Sequence, residues 1–283
     1  MRVAAGRLFV SGIVASAGGG ALLGSGYFSA PVHYARAGGG KKGVLSDIER
    51  TECMDVISVI KRLESSGATE KSVDEVCSEI QFNDGSVWEK IVDNSPGLTL
   101  WRRPCFGSSY AYLSHSTHDF PVKDYFRFMM DLKGRELWDA SSAAVDIVDG
   151  ENEAIVYCWE VKSPWPFSNR DYVCSRKYQE ILSAEKATLY LALSQAITHP
   201  ACPERYSNAG IVRVERYRSC MALRAISANQ CESFLLVVDD QKMNIPNSLL
   251  SWVASSAIPR FMKEMDRQCT ISLKNENPSS SHY

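Results

Sequence analysis

The chain of 283 residues has almost no excess of charge of either sign. Lys and Arg together number 31, and Asp and Glu number 33, which leaves a formal net charge of -2. Proteins that bind nucleic acid concentrate positive charge on one surface, where it meets the phosphates. Nothing in this balance indicates such a surface, so we expect no nucleic-acid partner.

Cysteine pairs with metal-binding or redox spacing are also missing. Nine cysteines are present, an odd number, and no two of them form the C-x-x-C spacing of zinc ribbons and redox-active dithiols. Several cysteines, such as Cys158, Cys174 and Cys220, lie in strand-like runs. This usage favours reduced, half-buried thiols in an intracellular protein over a disulfide framework, and we expect no metal.

Motifs of common catalytic sites are absent as well. The chain has no G-x-S-x-G turn, no H-E-x-x-H helix and no G-x-x-x-x-G-K-[ST] phosphate loop. Its five histidines form no i, i+4 pair. His115 and His118 are three apart, which favours a surface position over a metal site. We therefore expect no catalytic residues and no cofactor.

Acidic residues are missing from the first part of the chain. None occurs before Asp47, although basic residues do, and Gly, Ala and Ser dominate. An acid-poor leader containing Arg is typical of mitochondrial targeting, so residues 1–45 are predicted to form such a leader. Three alternatives stay open: a secretory signal peptide cleaved near Ala17, a disordered glycine-rich tail, and a membrane span over residues 8–30, since a span needs ~20 apolar residues.

Hydropathy patterns divide the remaining residues into helices and a compact domain. Helical spacing of apolar residues predicts a helix over 46–65 that begins with a capping box of Ser46 and Glu49. Residues 46–82 are thus interpreted as helix and linker, 83–270 as the domain and 271–283 as a disordered tail. Helices within the domain are predicted over 121–138 and 247–269, the second kinked at Pro259.

Alternating apolar residues predict eight strands within the domain. These are 98–104, 110–115, 144–148, 154–162, 171–179, 188–197, 211–226 and 232–239. An antiparallel sheet of that many strands must curve, and a terminal helix with so many apolar residues must cover something. We therefore predict an α+β fold in which a curved antiparallel sheet grips the C-terminal helix.

One run in the middle of the chain is the most informative. Residues 157–174 read YCWEVKSPWPFSNRDYVC, a strand, a Pro-rich aromatic loop and a second strand. The run resembles the W-E-V-K-x-P-F-P-x-S-N-R-D-Y signature of START lipid-transfer domains of the phosphatidylcholine-transfer branch. The resemblance spans about residues 86–269. Within it, the runs at 100–104, 194–200 and 251–259 are most similar to the mitochondrial member of that branch. It implies the helix-grip (START) fold, which encloses a lipid tunnel.

The resemblance also assigns a site for the lipid headgroup. In that branch an Arg at the end of the second helix meets the phosphate and pairs with an Asp four residues later, which here are Arg135 and Asp139. Three aromatics form a choline cage, matched here by Trp159, Tyr172 and Tyr217. A quaternary ammonium cannot donate a hydrogen bond and is held by ring faces, whereas phosphate suits the guanidinium fork.

Two positions near Arg135 depart from the family motif. Gly134 replaces a Tyr, and Glu136 replaces a basic residue and would weaken the local positive potential. Taken singly, each of the three aromatic residues is typical of a core strand, and the Arg–Asp pair is typical of a solvated helix face. Only the joint occurrence of all five favours a phosphocholine site. Arg170 and Asp171 also match the motif and are expected to fix the loop rather than bind lipid.

The resemblance implies an intracellular carrier that binds one phosphatidylcholine and moves it between membranes, to or within mitochondria, as a monomer and not as an enzyme. Trp165, which lies between two prolines, and Trp252 are predicted to contact the membrane surface. Packing of Trp165 on its own loop is the alternative. Two other functions stay open: a sensor or scaffold that binds lipid without delivering it, and a hydrolase or cyclase on the same fold.

Overall fold

The computed structural model describes residues 44–66, 86–93, 97–105, 109–139, 141–149, 154–162, 168–183, 187–203, 210–240, 256 and 258–276. Within these ranges ten strands form one sheet. The strands are β1 (Glu89–Val92), β2 (Leu98–Pro104), β3 (Tyr110–His118), β4 (Ser142–Asp149), β5 (Ile155–Val161), β6 (Arg170–Leu182), β7 (Thr188–Ala196), β8 (Val212–Arg213), β9 (Tyr217–Ser227) and β10 (Gln230–Asp239). The helices are α1 (Asp47–Ser66), α2 (Val122–Met130), α3 (Leu132–Trp138) and α4 (Ile258–Glu276).

Neighbouring strands follow the order β1-β2-β3-β10-β9-β7-β6-β5-β4, and all of these pairs are antiparallel. The short strand β8 pairs parallel with the start of β6. Helix α1 packs on one face of the sheet, against β7, β9, β10 and β3. Helices α2 and α4 contact each other on the opposite face, which we call the inner face. The predicted α+β fold with a large antiparallel sheet and a C-terminal helix is confirmed.

Helix α1 begins as the sequence predicts. The backbone N–H of Ser46 donates to Glu49 Oε2 at 2.7 Å, and the N–H of Glu49 donates to Ser46 Oγ at 3.3 Å. This reciprocal capping box satisfies two donors that the first turn leaves without helical partners. The apolar stripe of the helix, which includes Val56, Ile60 and Leu63, is fully buried against the outer face of the sheet.

The helix predicted over 121–138 is wrong in one respect, because it is divided at Asp131. The Asp131 carboxylate accepts a hydrogen bond from the Gly134 N–H at 2.8 Å and so caps a new helix, α3. A Cβ added at position 134 would lie 2.1 Å from Asp131 Oδ2. Gly134 therefore leaves room for the cap, which gives the departure from the family motif a structural reason.

Two other predicted boundaries are corrected. The strand predicted over 211–226 is split into β8 and β9, because residues 214–216 between them are not in strand conformation. Helix α4 begins at Ile258 and runs to Glu276, past the predicted domain boundary at 270. Residues 247–255 and 257 lie outside the described ranges, and Ser256 is π-helical. The predicted start of this helix at 247 and the predicted kink at Pro259 therefore stay predictions.

The prediction of uniformly reduced cysteines is also wrong. Cys158 on β5 and Cys202 after β7 form a disulfide, although 44 residues separate them in sequence. Only the path of the chain brings the two together, so no local spacing could predict the pair. Six other cysteines are buried rather than half-buried, namely Cys53, Cys105, Cys174, Cys220, Cys231 and Cys269.

Glu232 on β10 connects the sheet to α1 through an ionic network on the outer face. His115 lies between Glu232 and Glu64 of α1, at 2.8 and 2.6 Å, and Lys61 of α1 lies 3.7 Å from Glu232. Burial alone would raise the pKa of Glu232, but hydrogen bonds from His115 and Arg224, with the charges of Arg224 and Lys61, lower the pKa from 4.5 to about 2. The ionised carboxylate thus stabilises the contact of α1 with the sheet.

Because of this network, part of the free energy of unfolding is lost at low pH. Because the native pKa of Glu232 lies below its unfolded value, its contribution is present above about pH 4.5 and is lost as the pH falls toward 2. Between about pH 5 and pH 2 we expect the free energy of unfolding of the wild type to fall by about 1–3 kcal/mol more than that of Glu232→Gln. Urea titrations at several pH values measure the difference, and parallel acid dependence of the two proteins would contradict it.

Candidate functional site

Arg135 and Asp139 form an ion pair that is buried rather than solvated. Their four-residue spacing brings the side chains together at the end of α3, where Arg135 Nε donates to Asp139 Oδ2 at 3.0 Å. Arg135 is 7% exposed and Asp139 is 1% exposed. Asp139 Oδ1 also accepts hydrogen bonds from the Ser141 N–H at 2.9 Å and the Ser141 hydroxyl at 2.5 Å. The carboxylate is thus held on both of its oxygens, and it fixes the guanidinium.

Trp159 and Tyr172 lie directly opposite each other on the antiparallel strands β5 and β6. Their ring centroids are 5.2 Å apart and the rings are tilted by 31°. Tyr217, the first residue of β9, meets Tyr172 edge-on at 5.4 Å. Strand β7 lies between β6 and β9 but ends at Ala196, opposite Cys174. Because β7 stops there, the ring of Tyr217 reaches the ring of Tyr172.

The guanidinium of Arg135 joins the ion pair to this aromatic row. Its central carbon lies 4.5 Å from the centroid of the Trp159 ring, a cation–π distance. The indole N–H of Trp159 donates to Ser142 Oγ at 3.0 Å, which fixes the orientation of the ring. The structure therefore brings all five predicted site residues into one continuous series of contacts, although 82 positions separate the first from the last (217 − 135).

Asp239 belongs to the same site and was missed by the sequence analysis. It is the last residue of β10, opposite Tyr217, and its two carboxylate oxygens lie 3.0 and 3.3 Å from the hydroxyl of Tyr172. A negative charge therefore stands beside the aromatic row. Only the register of β9 and β10 places it there, so no local motif could have marked it.

The electrostatic setting keeps both tyrosines of the site neutral. Burial raises the pKa of the Tyr172 hydroxyl, and the adjacent Asp239 carboxylate raises it further. Burial also raises the pKa of the Tyr217 hydroxyl. Among the residues that the structure describes, this hydroxyl has no hydrogen-bond partner. The aromatic row thus presents neutral, electron-rich rings, whose faces attract cations.

Arg170 and Asp171 are the first two residues of β6 and directly precede Tyr172. Arg170 donates to the backbone carbonyl of Ser168, and Asp171 accepts from Arg213 Nε of β8 at 2.8 Å. The first contact lies within the segment that leads into β6, and the second ties the start of β6 to β8. Residues 163–167 of the connection between β5 and β6 lie outside the described ranges, so the role of Arg170 and Asp171 in fixing the loop stays a prediction.

The sequence analysis also gave expectations for two tryptophans and two histidines. Trp165 and Trp252, predicted to contact a membrane, lie outside the described residues. The predicted surface position is wrong for His118, which is 2% exposed. His115 is half-buried in the network of Glu232. Among the helices within the described ranges, none is both long and apolar enough to cross a bilayer.

A cavity lies between the inner face of the sheet and the helices α2 and α4. Side chains of β2, β3, β9 and β10 form its floor, and side chains of α2 and α4 cover it. Most of the lining is apolar, for instance Leu100, Met221, Leu235 and Met262. The cavity thus offers aliphatic surface, and the terminal helix closes it.

Comparison with known proteins agrees with this architecture. The family model of the START domain matches residues 69–272. The chain is 30% identical over 202 residues to the phosphatidylcholine transfer protein of Mus musculus, an alignment that covers 69% of this chain and 90% of that protein. It is 27% identical over 246 residues to the human StAR-related lipid transfer protein 7, mitochondrial, with 81% of this chain and 64% of that protein covered.

Solved structures with the same fold include two human proteins. STARD10 matches with a TM-score of 0.55 and 18% identity, covering 68% of this chain and 77% of that structure. StAR-related lipid transfer protein 5 matches with a TM-score of 0.56 and 12% identity, covering 80% and 98%. At these identities the likeness concerns the fold, and it confirms the helix-grip fold expected from the sequence.

Proposed function

The chain belongs to the START domain family, and from this premise we propose that it binds one phosphatidylcholine molecule inside the domain and moves it between membranes. The observation that carries the proposal is the position of Arg135, in contact with both Asp139 and the ring of Trp159. One buried site thereby holds a guanidinium next to a row of three aromatic rings. This arrangement offers partners for both charges of a zwitterionic headgroup.

The two charges need different partners. The phosphate takes hydrogen bonds from a guanidinium, whose planar fork matches two of its oxygens. The quaternary ammonium has no N–H to donate and binds to ring faces, at ~0.5–2 kcal/mol for each desolvated ring. Without both partners, burial of the zwitterion would cost several kcal/mol per charge.

We place the acyl chains in the apolar cavity beneath α4, which has a volume of about 20 Å³ in this structure and therefore has to widen to take them. Each methylene group transferred from water contributes ~0.8 kcal/mol, so two acyl chains keep a lipid bound in water. The same covering helix has to move when lipid enters or leaves, because side chains of α4 close the cavity. Contact with a membrane surface is the event that we assign to this opening, and the chain acts as a monomer without catalysis.

Competition among lipids tests the proposal. The full chain is incubated with liposomes that contain equal amounts of phosphatidylcholine, phosphatidylethanolamine, ceramide and cholesterol, then re-isolated, and its lipid is identified by mass spectrometry. We expect phosphatidylcholine at about one molecule per protein, and delivery of that lipid to acceptor liposomes. A predominance of ceramide or sterol would contradict the proposed ligand. Binding without delivery would identify a sensor instead of a carrier.

We also propose that the protein acts at mitochondria. Two observations support this location: the acid-poor composition of residues 1–45 and the similarity to a relative that carries the word mitochondrial in its name. Fluorescence microscopy of the tagged chain, with and without residues 1–45, checks the location. Identical distribution of the two forms outside mitochondria would contradict it.

A further inference from the structure

Four polar side chains form a cluster where β3, β10 and α4 meet, and we call it the serine–histidine cluster. Ser116 Oγ lies 2.7 Å from Ser233 Oγ on the neighbouring strand and 2.9 Å from His118 Nε2. His118 Nδ1 lies 3.0 Å from Asp266 Oδ1 on α4. The ring of His118 also stacks on Tyr125 at 4.1 Å. Ser116 and Ser233 line the cavity beneath α4, so the cluster forms a polar patch on an otherwise mainly apolar wall.

The protons of the cluster can be assigned from its contacts. A carboxylate only accepts hydrogen bonds, so the Asp266 contact places the proton of neutral His118 on Nδ1. His118 Nε2 then accepts a proton from one of the serines. The short distance between the serine oxygens means that the second serine donates to the first. Both hydroxyl protons are thereby used within the cluster, and the two serine oxygens offer lone pairs to the cavity.

The position of the cluster relates it to the proposed headgroup site. Ser233 and Asp239 lie six positions apart on β10 (239 − 233), and Asp239 contacts Tyr172 of the site. At ~3.4 Å per residue in an antiparallel strand, the two are about 20 Å apart along β10. A group at the cluster is thus too far from the site to meet the headgroup itself. Because Ser116 and Ser233 line the cavity in which the proposed function places the acyl chains, a chain and not the headgroup would meet the cluster.

We propose that the serine–histidine cluster binds a hydroxyl group carried midway along an acyl chain, so that the protein prefers phosphatidylcholine with a hydroxylated chain. This inference rests on the proposed function and names its substrate class more narrowly. In a wholly apolar cavity a chain hydroxyl loses its hydrogen bonds to water and is rejected. Here the lone pairs of Ser116 and Ser233 accept the hydroxyl proton, so the cavity favours such a chain.

Two phosphatidylcholines that differ by one hydroxyl group test the inference. Liposomes carry equal amounts of a form with an oleoyl chain and a form with a ricinoleoyl chain at the same glycerol position, and the bound lipid is analysed by mass spectrometry. We expect the wild-type chain to take up the ricinoleoyl form with a preference of about three- to tenfold, the value of one net hydrogen bond. A ricinoleoyl chain whose hydroxyl is methylated is expected to show no preference, because it has no proton to donate.

Variants identify the residues responsible. Ser116→Ala/Ser233→Ala is expected to abolish the preference while uptake of the oleoyl form continues, which also shows that the variant is folded. Thr117→Ala is the matched control, because it removes an exposed hydroxyl on the opposite side of the same strand, and it should keep the preference.

The outcomes separate this inference from the proposed function. Equal uptake of the two forms by the wild type would overturn the inference and leave phosphatidylcholine binding intact; the cluster would then serve only to tie α4 to the sheet. A preference that survives in the double serine variant would also overturn it. Failure to take up either phosphatidylcholine would refute the proposed function itself.

Discussion

Arg135→Ala is expected to reduce phosphatidylcholine transfer between liposomes by about 30-fold to more than 1,000-fold. Truncating one partner of a desolvated, hydrogen-bonded charge pair costs about 2–5 kcal/mol, which corresponds to that range. In this protein Arg135 is 7% exposed, and Asp139 and the Trp159 ring form part of the pocket around its guanidinium. The lipid phosphate would have to enter that pocket without its counterion. A fluorescent phosphatidylcholine transfer assay measures the effect.

A second variant separates loss of binding from loss of folding. Arg135→Ala removes the cation that pairs with the buried Asp139 carboxylate, and breaking a buried ion pair by removing one partner destabilises a fold by about 3–5 kcal/mol. Arg135→Ala/Asp139→Asn removes that charge as well, and the asparagine keeps an oxygen for the hydrogen bonds from Ser141. We expect the double variant to regain most of the stability and none of the transfer. If this variant transfers phosphatidylcholine at the wild-type rate, the assignment of Arg135 to the headgroup site is wrong.

The site could be predicted from the sequence where its contacts are local. Arg135 and Asp139 are four residues apart in a helix, and Trp159 and Tyr172 lie on consecutive antiparallel strands. Helical spacing and strand pairing therefore bring each pair together without further information. Tyr217 is different, because it reaches Tyr172 only where β7 ends. The resemblance to the family supplied that position, whereas the pattern of residues alone did not.

Contacts between residues that are far apart in the chain could not be predicted from the sequence. The pair of His118 and Asp266 spans 148 positions, and the disulfide of Cys158 and Cys202 spans 44. Neither pair has a periodicity that marks it, since each depends on which strands and helices become neighbours. The division of the helix at Asp131 is different, because its signal is local. Asp131 can cap a helix through the Gly134 N–H three residues later, but the apolar residues on both sides favoured one continuous helix.

Tyr217→Leu is expected to lower the preference of the protein for phosphatidylcholine over phosphatidylethanolamine by about 3- to 30-fold. A ring face contributes ~0.5–2 kcal/mol to holding a desolvated quaternary ammonium. The primary ammonium of ethanolamine has N–H groups and can be held by hydrogen bonds, so its binding depends less on a ring face than that of choline. The substitution therefore weakens the binding of choline more than that of ethanolamine, and the selectivity for choline is what is lost. Competition between the two lipids in mixed liposomes measures the ratio.

Tyr217→Phe is the matched control, because it removes the hydroxyl and keeps the ring. Within the described part of the chain that hydroxyl has no hydrogen-bond partner, so its loss leaves no donor or acceptor unpaired. We expect Tyr217→Phe to select phosphatidylcholine almost as well as the wild type. If it loses selectivity to the same extent as Tyr217→Leu, the hydroxyl and not the ring face contacts the lipid. Cation–π binding at this position would then be wrong, and the choline would have to be held by the two rings of Trp159 and Tyr172.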